Sequence, residues 1–181
     1  TGLDINDTLK YWYNRYPWKG KSLDEVRNNL ERTFIRLVKQ KGKPCGGAET
    51  ILNLFKSKGW RIGLASSSTI DIIQCSMDKL ALTQYFDVMH SSQYEIAGKP
   101  HPAVYQATAR KLGVNPCECI AFEDSYRGVE AAHAAGMIVV AVPDTHITDN
   151  RSFDLATITI SSLIEFDDEK LAQIAGYACK Q

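Results

Sequence analysis

The sequence predicts an α/β fold in which a doubly wound parallel sheet follows a small helical part. Short apolar runs alternate with helical patterns from Ala48 onward, which favours parallel strands with helices on both faces. The runs are almost continuously apolar, as is typical of strands covered on both faces. A stretch rich in glycine and proline, residues 42–47, precedes them. The 181 residues therefore divide into a helical part, 1–43, and an α/β part, 44–181.

The helical part contains two predicted helices. Apolar and aromatic residues at helical spacing predict a first helix over Ile5–Tyr16, which Pro17 ends. Ser22 followed by Glu25 is a capping-box pattern, and it begins a second helix over Leu23–Gln40. We expect the two helices to form a hairpin with an aromatic face.

The α/β part contains five predicted strands and five predicted helices, several of them ended by glycine. The strands are Arg61–Ala65, Phe86–Met89, Cys119–Phe122, Ile138–Val142 and Thr157–Ile160. The helices are Glu49–Lys58, Thr69–Leu82, Pro102–Leu112, Tyr126–Ala135 and Ser162–Ala175. In such a sheet, ligands bind at the carboxyl ends of the strands, so the residues that directly follow strands are the candidates for function.

Composition narrows the class of protein. The formal net charge is zero and the pI is near 6.8, which argues against a general nucleic-acid binder and against attachment to anionic lipid. No apolar run is long enough to span a membrane, and no signal-peptide pattern is found. The five cysteines follow no disulfide framework and predict reduced thiols. We expect a cytoplasmic monomer with neither nucleic-acid nor membrane partners.

Two groups that follow predicted strands suit an anion. Ser66, Ser67 and Ser68 follow one strand and precede a helix, where hydroxyl and backbone N–H groups favour anion binding; an ordinary serine N-cap is the alternative. Lys99 lies in a loop between glycine and proline and provides a point charge suited to phosphate; a solvated loop lysine is the alternative. His101, flanked by prolines, is predicted to start a helix.

A third group suits a metal. The apolar run Ile120–Phe122 stops at two adjacent carboxylates, Glu123 and Asp124. Carboxylates at the end of a buried strand are costly without a cation, and Mg²⁺ takes oxygen ligands of this kind. An acidic cap on the following helix is the alternative. Together the three groups are typical of a site for phosphoryl transfer, although none of them supplies a nucleophile.

These motifs resemble the haloacid dehalogenase-like hydrolase superfamily, and within it the subgroup of β-phosphoglucomutase and small sugar-phosphate phosphatases. The stretch Leu64–Ser68 resembles the family's second motif, Gly98–Pro102 its third and Phe122–Met137 its fourth. The resemblance implies a Rossmann-like core with a helical cap, of which residues 1–43 are part. It implies Mg²⁺ as cofactor and a small phosphorylated metabolite, a sugar phosphate, as partner.

The resemblance also implies roles for single residues. Ser66 is the phosphate-binding hydroxyl, with Ser67 and Ser68 beside it, and Lys99 is the invariant cation of the family. Asp124 is a direct Mg²⁺ ligand, and Glu123 is a direct or water-mediated one. At the start of the chain, Thr1–Ile5 resembles the substrate-contacting cap loop, which makes Gly2 a substrate-binding candidate. The stretch Trp12–Trp18 resembles the cap of bacterial 2-deoxyglucose-6-phosphate phosphatases.

One family motif is missing. The family carries Asp-x-Asp after an N-terminal strand, which by resemblance is the central strand of the sheet, and its first aspartate is the nucleophile. Here the sequence begins inside the cap, and Asp4–Asp7 follows no apolar strand. We expect either a fragment of a longer protein or a segment supplied from elsewhere, because loss of the strand would leave two open sheet edges.

The leading hypothesis is a Mg²⁺-dependent phosphatase that hydrolyses small sugar phosphates through an aspartyl-phosphate, with this chain inactive alone because it lacks the nucleophile. The first alternative is a phosphomutase on the same fold, because the motifs present do not separate the two reactions. The second alternative is a non-catalytic remnant that binds phosphate or a partner. The missing motif favours the remnant, whereas the combination of Ser66, Lys99, Glu123 and Asp124 argues against it.

Overall fold

A computed structural model describes residues 5–143 and 153–179 and confirms the alternating α/β order. Within these ranges the helices are α1 (Ile5–Arg15), α2 (Leu23–Lys41), α3 (Ala48–Ser57), α4 (Ile70–Leu80), α5 (Ala103–Leu112), α6 (Tyr126–Ala134) and α7 (Asp168–Ala175). The strands are β1 (Gly63–Ser66), β2 (Val88–Ser91), β3 (Ile120–Glu123), β4 (Ile138–Ala141) and β5 (Ile158–Thr159). No described helix has the length and apolar character to cross a bilayer.

The strands form two parallel sheets. β1 pairs with β2, which places Ser66 opposite Ser91, and β3 pairs with β4, which in turn pairs with β5. No pairing joins β1 to β3 in the described part of the chain. Both strands instead line a cavity of about 600 Å³, bordered by Ile62–Ala65 on one side and Ile120–Phe122 on the other. Among the residues that the structure describes, β1 and β3 each therefore have one edge without a partner strand.

The core packs on both faces of β4, whose four residues are all buried. Val139 and Ala141 belong to an apolar cluster with α5 and α6, while Ile138 and Val140 belong to a second cluster with α3 and Phe166. Successive side chains of a strand point to opposite faces, so the two clusters lie on opposite sides of the sheet. This confirms the doubly wound arrangement.

The helical part agrees with its sequence signals. Ser22 caps α2 through the predicted capping box, in which the Ser22 hydroxyl accepts from the Glu25 N–H at 3.2 Å and the Glu25 carboxylate accepts from the Ser22 N–H at 2.7 Å. α2 packs against α1 and α4, yet none of its residues is fully buried. The predicted break contains Gly47, where φ is +85° and a Cβ atom would lie 2.6 Å from the backbone nitrogen of Ile164.

Two differences from the predicted element bounds have an evident physical cause. β2 begins at Val88 because the preceding Asp87 turns its side chain to the backbone of Ile62 and to Lys56. The predicted final helix is interrupted, because Phe166 enters the core, where it is 3% exposed, and Asp167 then caps α7 by accepting from the Lys170 N–H at 2.9 Å. Tertiary packing overrides the local helical pattern at this point.

The prediction of reduced thiols is wrong for one pair of cysteines. Cys117 and Cys179 form a disulfide, with their Cα atoms 4.8 Å apart. The Cys179 N–H also donates to the Cys117 carbonyl at 3.3 Å. The two residues are 62 positions apart, and only the packing of the last turn against the segment before β3 brings them together. Cys45, Cys75 and Cys119 are thiols.

Asp87 joins three elements, so its loss should be measurable. Its carboxylate accepts hydrogen bonds from the Ile62 N–H at 2.7 Å and from Lys56 at 3.0 Å. The hydrogen bond from Ile62 is the largest cause, and that from Lys56 the next, of a pKa below the ordinary value of 3.8. We expect Asp87→Asn to reduce the free energy of unfolding by about 1 kcal/mol at about pH 7, measured by urea denaturation.

The effect should depend on pH with a definite sign. A carboxyl group whose pKa is lower in the folded than in the unfolded protein stabilises the fold at pH values above the unfolded pKa of 3.8. This stabilisation is lost as the pH falls through the lower pKa of the folded state. The difference between the wild type and Asp87→Asn should therefore shrink at about pH 3. Asp154→Asn, at an exposed position, is the matched control. A difference that grows on acidification would contradict the assignment.

Candidate active site

The carboxyl ends of β1 and β3 open into a cavity of about 1070 Å³. Its lining includes six residues that the sequence predicted as site residues: Ser66, Ser67, Ser68, Lys99, Glu123 and Asp124. Ile5, Thr8 and residues of α2 form the opposite wall. Gly2, the seventh predicted site residue, lies outside the described residues. The structure therefore brings the three sequence motifs to one cavity, as expected for strands that end at the same edge.

The loop of Ser66, Ser67 and Ser68, called the serine loop below, is held by contacts from its own backbone and from the end of β2. The Ser66 hydroxyl accepts from the Ser68 N–H at 3.1 Å, and the buried Ser91 hydroxyl donates to the Ser68 carbonyl at 2.6 Å. The Gln93 side chain accepts from the N–H of Ile70, the first residue of α4, at 3.1 Å. The loop is thus fixed at a helix N-terminus, a place that favours an anion.

One polar atom beside this loop has no partner. Thr69 is the N-cap of α4, but its hydroxyl makes no capping hydrogen bond. Its Oγ1 atom is buried and has no hydrogen-bond partner among the described residues. Buried polar groups are normally paired, so an unpaired hydroxyl next to the serine loop is consistent with a site that a ligand completes.

Lys99 is buried, at 8% exposure, and so the solvated-loop alternative is wrong. Its ammonium group forms an ion pair with Glu123 and donates to the Tyr105 hydroxyl at 3.0 Å. It also lies 3.4 Å from the carbonyl oxygen of Ala65, at the end of β1. Because Ala65 belongs to one sheet and Glu123 to the other, the Lys99 side chain bridges the two sheets at the rim of the cavity.

Tyr105 is a site residue that the sequence did not reveal. It lies on α5, is 6% exposed and donates its hydroxyl to Glu123. Burial raises the pKa of the Tyr105 hydroxyl well above its ordinary range, and the negative charge of Glu123 raises it further. The hydroxyl therefore stays protonated and serves as a donor to the carboxylate. In the sequence Tyr105 is indistinguishable from an apolar core position on a helix.

Glu123 also lies against the start of α6. The Ser125 hydroxyl, 3.3 Å from Glu123 Oε2, caps α6 by accepting from the Gly128 N–H at 3.2 Å. A Cβ atom on Gly128 would lie 1.8 Å from Glu123 Oε2. Only glycine leaves room for the carboxylate at this position. Glycine at residue 128 is therefore part of how the site is built.

Glu123 and Asp124 differ in how well they are placed to bind Mg²⁺. Asp124 is exposed and lines the cavity, whereas Glu123 is buried and already contacts Lys99, Tyr105 and Ser125. No group of three or more His, Cys, Asp or Glu occurs at one place within the described residues. Mg²⁺ commonly binds through one or two carboxylates, waters and substrate phosphate oxygens. Asp124 could hold the ion directly, with Glu123 behind it through water.

Comparison with protein families agrees with the motifs. Residues 3–136 match the model of the haloacid dehalogenase-like hydrolases. Hexitol phosphatase B of Escherichia coli (strain K12) is 35% identical over 170 residues, which are 94% of this chain and 77% of that protein. A probable pseudouridine-5'-phosphatase of Drosophila melanogaster is 32% identical over 175 residues, 93% of this chain and 74% of that protein.

Comparison with solved structures agrees with the fold. The crystal structure of β-phosphoglucomutase from Clostridium difficile superposes with a TM-score of 0.79. The superposition covers 95% of this chain and 77% of that one, at 22% sequence identity. At this identity the likeness concerns the fold alone.

A double-mutant cycle tests the contact between Gly128 and Glu123. We expect Gly128→Ala to lower the free energy of unfolding by about 1–3 kcal/mol, because the added methyl group displaces the buried carboxylate. In a Glu123→Ala background that cost should fall by at least about 1 kcal/mol, because the clashing group is gone. Urea denaturation of the four proteins gives the coupling.

Gly20→Ala is the control for this cycle. Gly20 has φ of +86° and no heavy atom within 4 Å of an added Cβ, so its substitution strains the backbone without reaching Glu123. Its cost should be the same in both backgrounds. Additive costs for Gly128→Ala and Glu123→Ala would mean that the close approach is not what requires glycine.

Proposed function

The chain belongs to the haloacid dehalogenase-like hydrolase family, and we propose that it contributes to a Mg²⁺-dependent phosphatase that hydrolyses small sugar phosphates. The observation that carries the proposal is the position of Lys99, bound to Glu123 at one strand end and to the Ala65 carbonyl at the other, in the wall of the cavity that Asp124 also lines. The similarity to hexitol phosphatase B supports a phosphorylated polyol or sugar as the substrate.

The residues divide the work at the phosphate. The hydroxyl of Ser66, near the N-terminus of α4, binds phosphate oxygens, while Lys99 offsets their negative charge. Glu123 and Tyr105 fix the position of the Lys99 ammonium group, so little reorganisation is needed when the phosphate arrives. When bound at Asp124, Mg²⁺ supplies additional positive charge toward the phosphoryl oxygens.

The proposed reaction also needs a carboxylate that accepts the phosphoryl group. No Asp-x-Asp sequence occurs in the 181 residues. We propose that a strand bearing it pairs with β1 and β3 in the cavity of about 600 Å³ between them. Its first carboxylate would attack phosphorus as the bond from phosphorus to the sugar oxygen breaks. The sugar oxygen would take a proton from the second aspartate of the motif, which the resemblance makes the general acid. Water would then cleave the aspartyl-phosphate and release inorganic phosphate.

Residues 1–43 are proposed as part of a cap over the site. α1 and α2 line the cavity opposite the strand ends, and α2 packs against α4, which begins at the serine loop. A cap in this place excludes water while the phosphoryl group is transferred. The role of Gly2 in substrate binding stays a prediction, as do the monomeric state and the cytoplasmic location.

The relatives favour the phosphatase over the two alternatives. The phosphatase relatives match at 32% and 35% identity, whereas β-phosphoglucomutase from Clostridium difficile is similar in fold alone. A non-catalytic remnant is disfavoured because burying the charge of Lys99 is costly, and three partners hold its ammonium group at the cavity wall beside an exposed carboxylate. Release of inorganic phosphate rather than an isomeric sugar phosphate distinguishes the phosphatase from a mutase.

The metal assignment predicts the effect of one substitution. In protein that includes the acceptor strand, Asp124→Asn should lower Mg²⁺-dependent hydrolysis of hexitol 6-phosphate by about 100-fold or more, measured as phosphate release. Glu130→Gln, on α6 and away from the cavity, is the matched control and should keep the wild-type rate. An Asp124→Asn protein with an unchanged Mg²⁺-dependent rate would sink the assignment.

The 181-residue chain alone should separate binding from turnover. It should bind inorganic phosphate in the presence of Mg²⁺, measured by calorimetry, because Ser66 and Lys99 line the cavity. It should release no phosphate from sugar phosphates, because the acceptor aspartate is absent. Measurable Mg²⁺-dependent turnover by this chain would overturn the view that the nucleophile lies outside it.

A further inference from the structure

The wall of the cavity opposite the strand ends carries a single charged side chain among the described residues. This wall consists of Ile5, Thr8, Leu30, Glu31 and Phe34, from α1 and α2. Glu31 is half-buried and stands in the sequence beside Leu30, three residues before Phe34. A carboxylate thus lines the cavity beside the apolar side chains of Leu30 and Phe34.

Nothing in the described chain neutralises Glu31. Its side chain makes no ion pair and no hydrogen bond within residues 5–143 and 153–179. Arg27, one helical turn away, lies at the spacing that normally pairs with it. That arginine instead contacts Asp24 at 3.0 Å and Asn6 at 3.3 Å. Among the described residues, no cation pairs with the Glu31 carboxylate in the cavity wall.

The other charges of the cavity do not compensate for it. Lys99 is the one cation among the described lining residues, and Glu123 is in direct contact with its ammonium group. Asp124 adds a further carboxylate, whose charge the proposed Mg²⁺ would offset. The wall formed by α1 and α2 is therefore negative, whereas Lys99 and the serine loop at the strand ends favour an anion.

We propose that Glu31 selects the substrate by charge: it favours hydroxyl groups at the end remote from the phosphate and rejects a second anionic group there. This inference rests on the proposed phosphatase function and narrows its substrate class to monophosphates of neutral polyols or sugars. A carboxylate accepts hydrogen bonds from hydroxyl donors, and a like charge close to it is strongly disfavoured. Leu30 and Phe34 offer apolar surface to the carbon skeleton.

Two probes isolate the charge. Sorbitol 6-phosphate and 6-phosphogluconate share an open six-carbon chain and a phosphate, and differ at the far carbon, which bears an alcohol in one and a carboxylate in the other. Both can be titrated by calorimetry into the 181-residue chain with Mg²⁺. The measured quantity is the ratio of the two dissociation constants, which cancels any common change at the phosphate.

The wild type should bind the alcohol about tenfold more tightly than the acid. Glu31→Gln keeps the size of the side chain and removes the charge, so the ratio should fall to about twofold. Glu31→Lys should invert the preference in favour of 6-phosphogluconate. Arg32→Gln is the matched control, because it also removes a charge from α2 but lies at an exposed position outside the cavity lining, and it should leave the ratio unchanged.

The outcomes distinguish this inference from the function on which it rests. Thermal unfolding of each variant verifies folding, and Glu31→Gln introduces a good helix former. If the wild type binds inorganic phosphate but the ratio is the same in wild type, Glu31→Gln and Glu31→Lys, the role of Glu31 is wrong and the phosphate site stands. If the folded wild type binds no inorganic phosphate with Mg²⁺, the proposed function and this inference fall together.

Discussion

The buried ion pair between Lys99 and Glu123 is the contact on which the arrangement of the site depends. Both side chains are 7% exposed, and taking two charges out of water is costly unless each finds further partners. Lys99 finds the Tyr105 hydroxyl and the Ala65 carbonyl, and Glu123 finds Tyr105 and Ser125. Each partner belongs to a different element, so the pair determines how β1, α5, β3 and α6 meet.

Two further features follow from this pair. The Glu123 carboxylate needs space above the first turn of α6, which is why residue 128 lacks a side chain. Because Glu123 turns inward to Lys99, the adjacent Asp124 is left at the cavity surface, where an ion can reach it. Two neighbouring carboxylates with the same chemistry thus differ in their surroundings, since successive residues at a strand end point in opposite directions.

The sequence predicted the elements and the three motifs of the site because these depend on local pattern. Apolar runs, the Ser22 capping box and glycines at helix ends report the backbone nearby, and the family motifs report Ser66, Lys99 and Asp124. Tyr105, Ser91 and Gln93 were not predicted, because their hydrogen bonds depend on how α5 and β2 pack against distant residues. The interrupted final helix and the disulfide have the same origin in tertiary packing. The roles of Ser66, Lys99, Glu123 and Asp124 in catalysis stay predictions.

The bond between Cys117 and Cys179 closes the stretch between them into a covalent ring, and that ring holds one half of the site. Glu123 and Asp124 lie inside the ring, whereas Ser66 and Lys99 lie on the linear portion before it. A ring of this size lowers the conformational entropy of the unfolded chain, which in the entropic model stabilises the folded state by about 4 kcal/mol. A protease that cuts within the ring would leave a single covalent molecule, which separates into two pieces only after reduction.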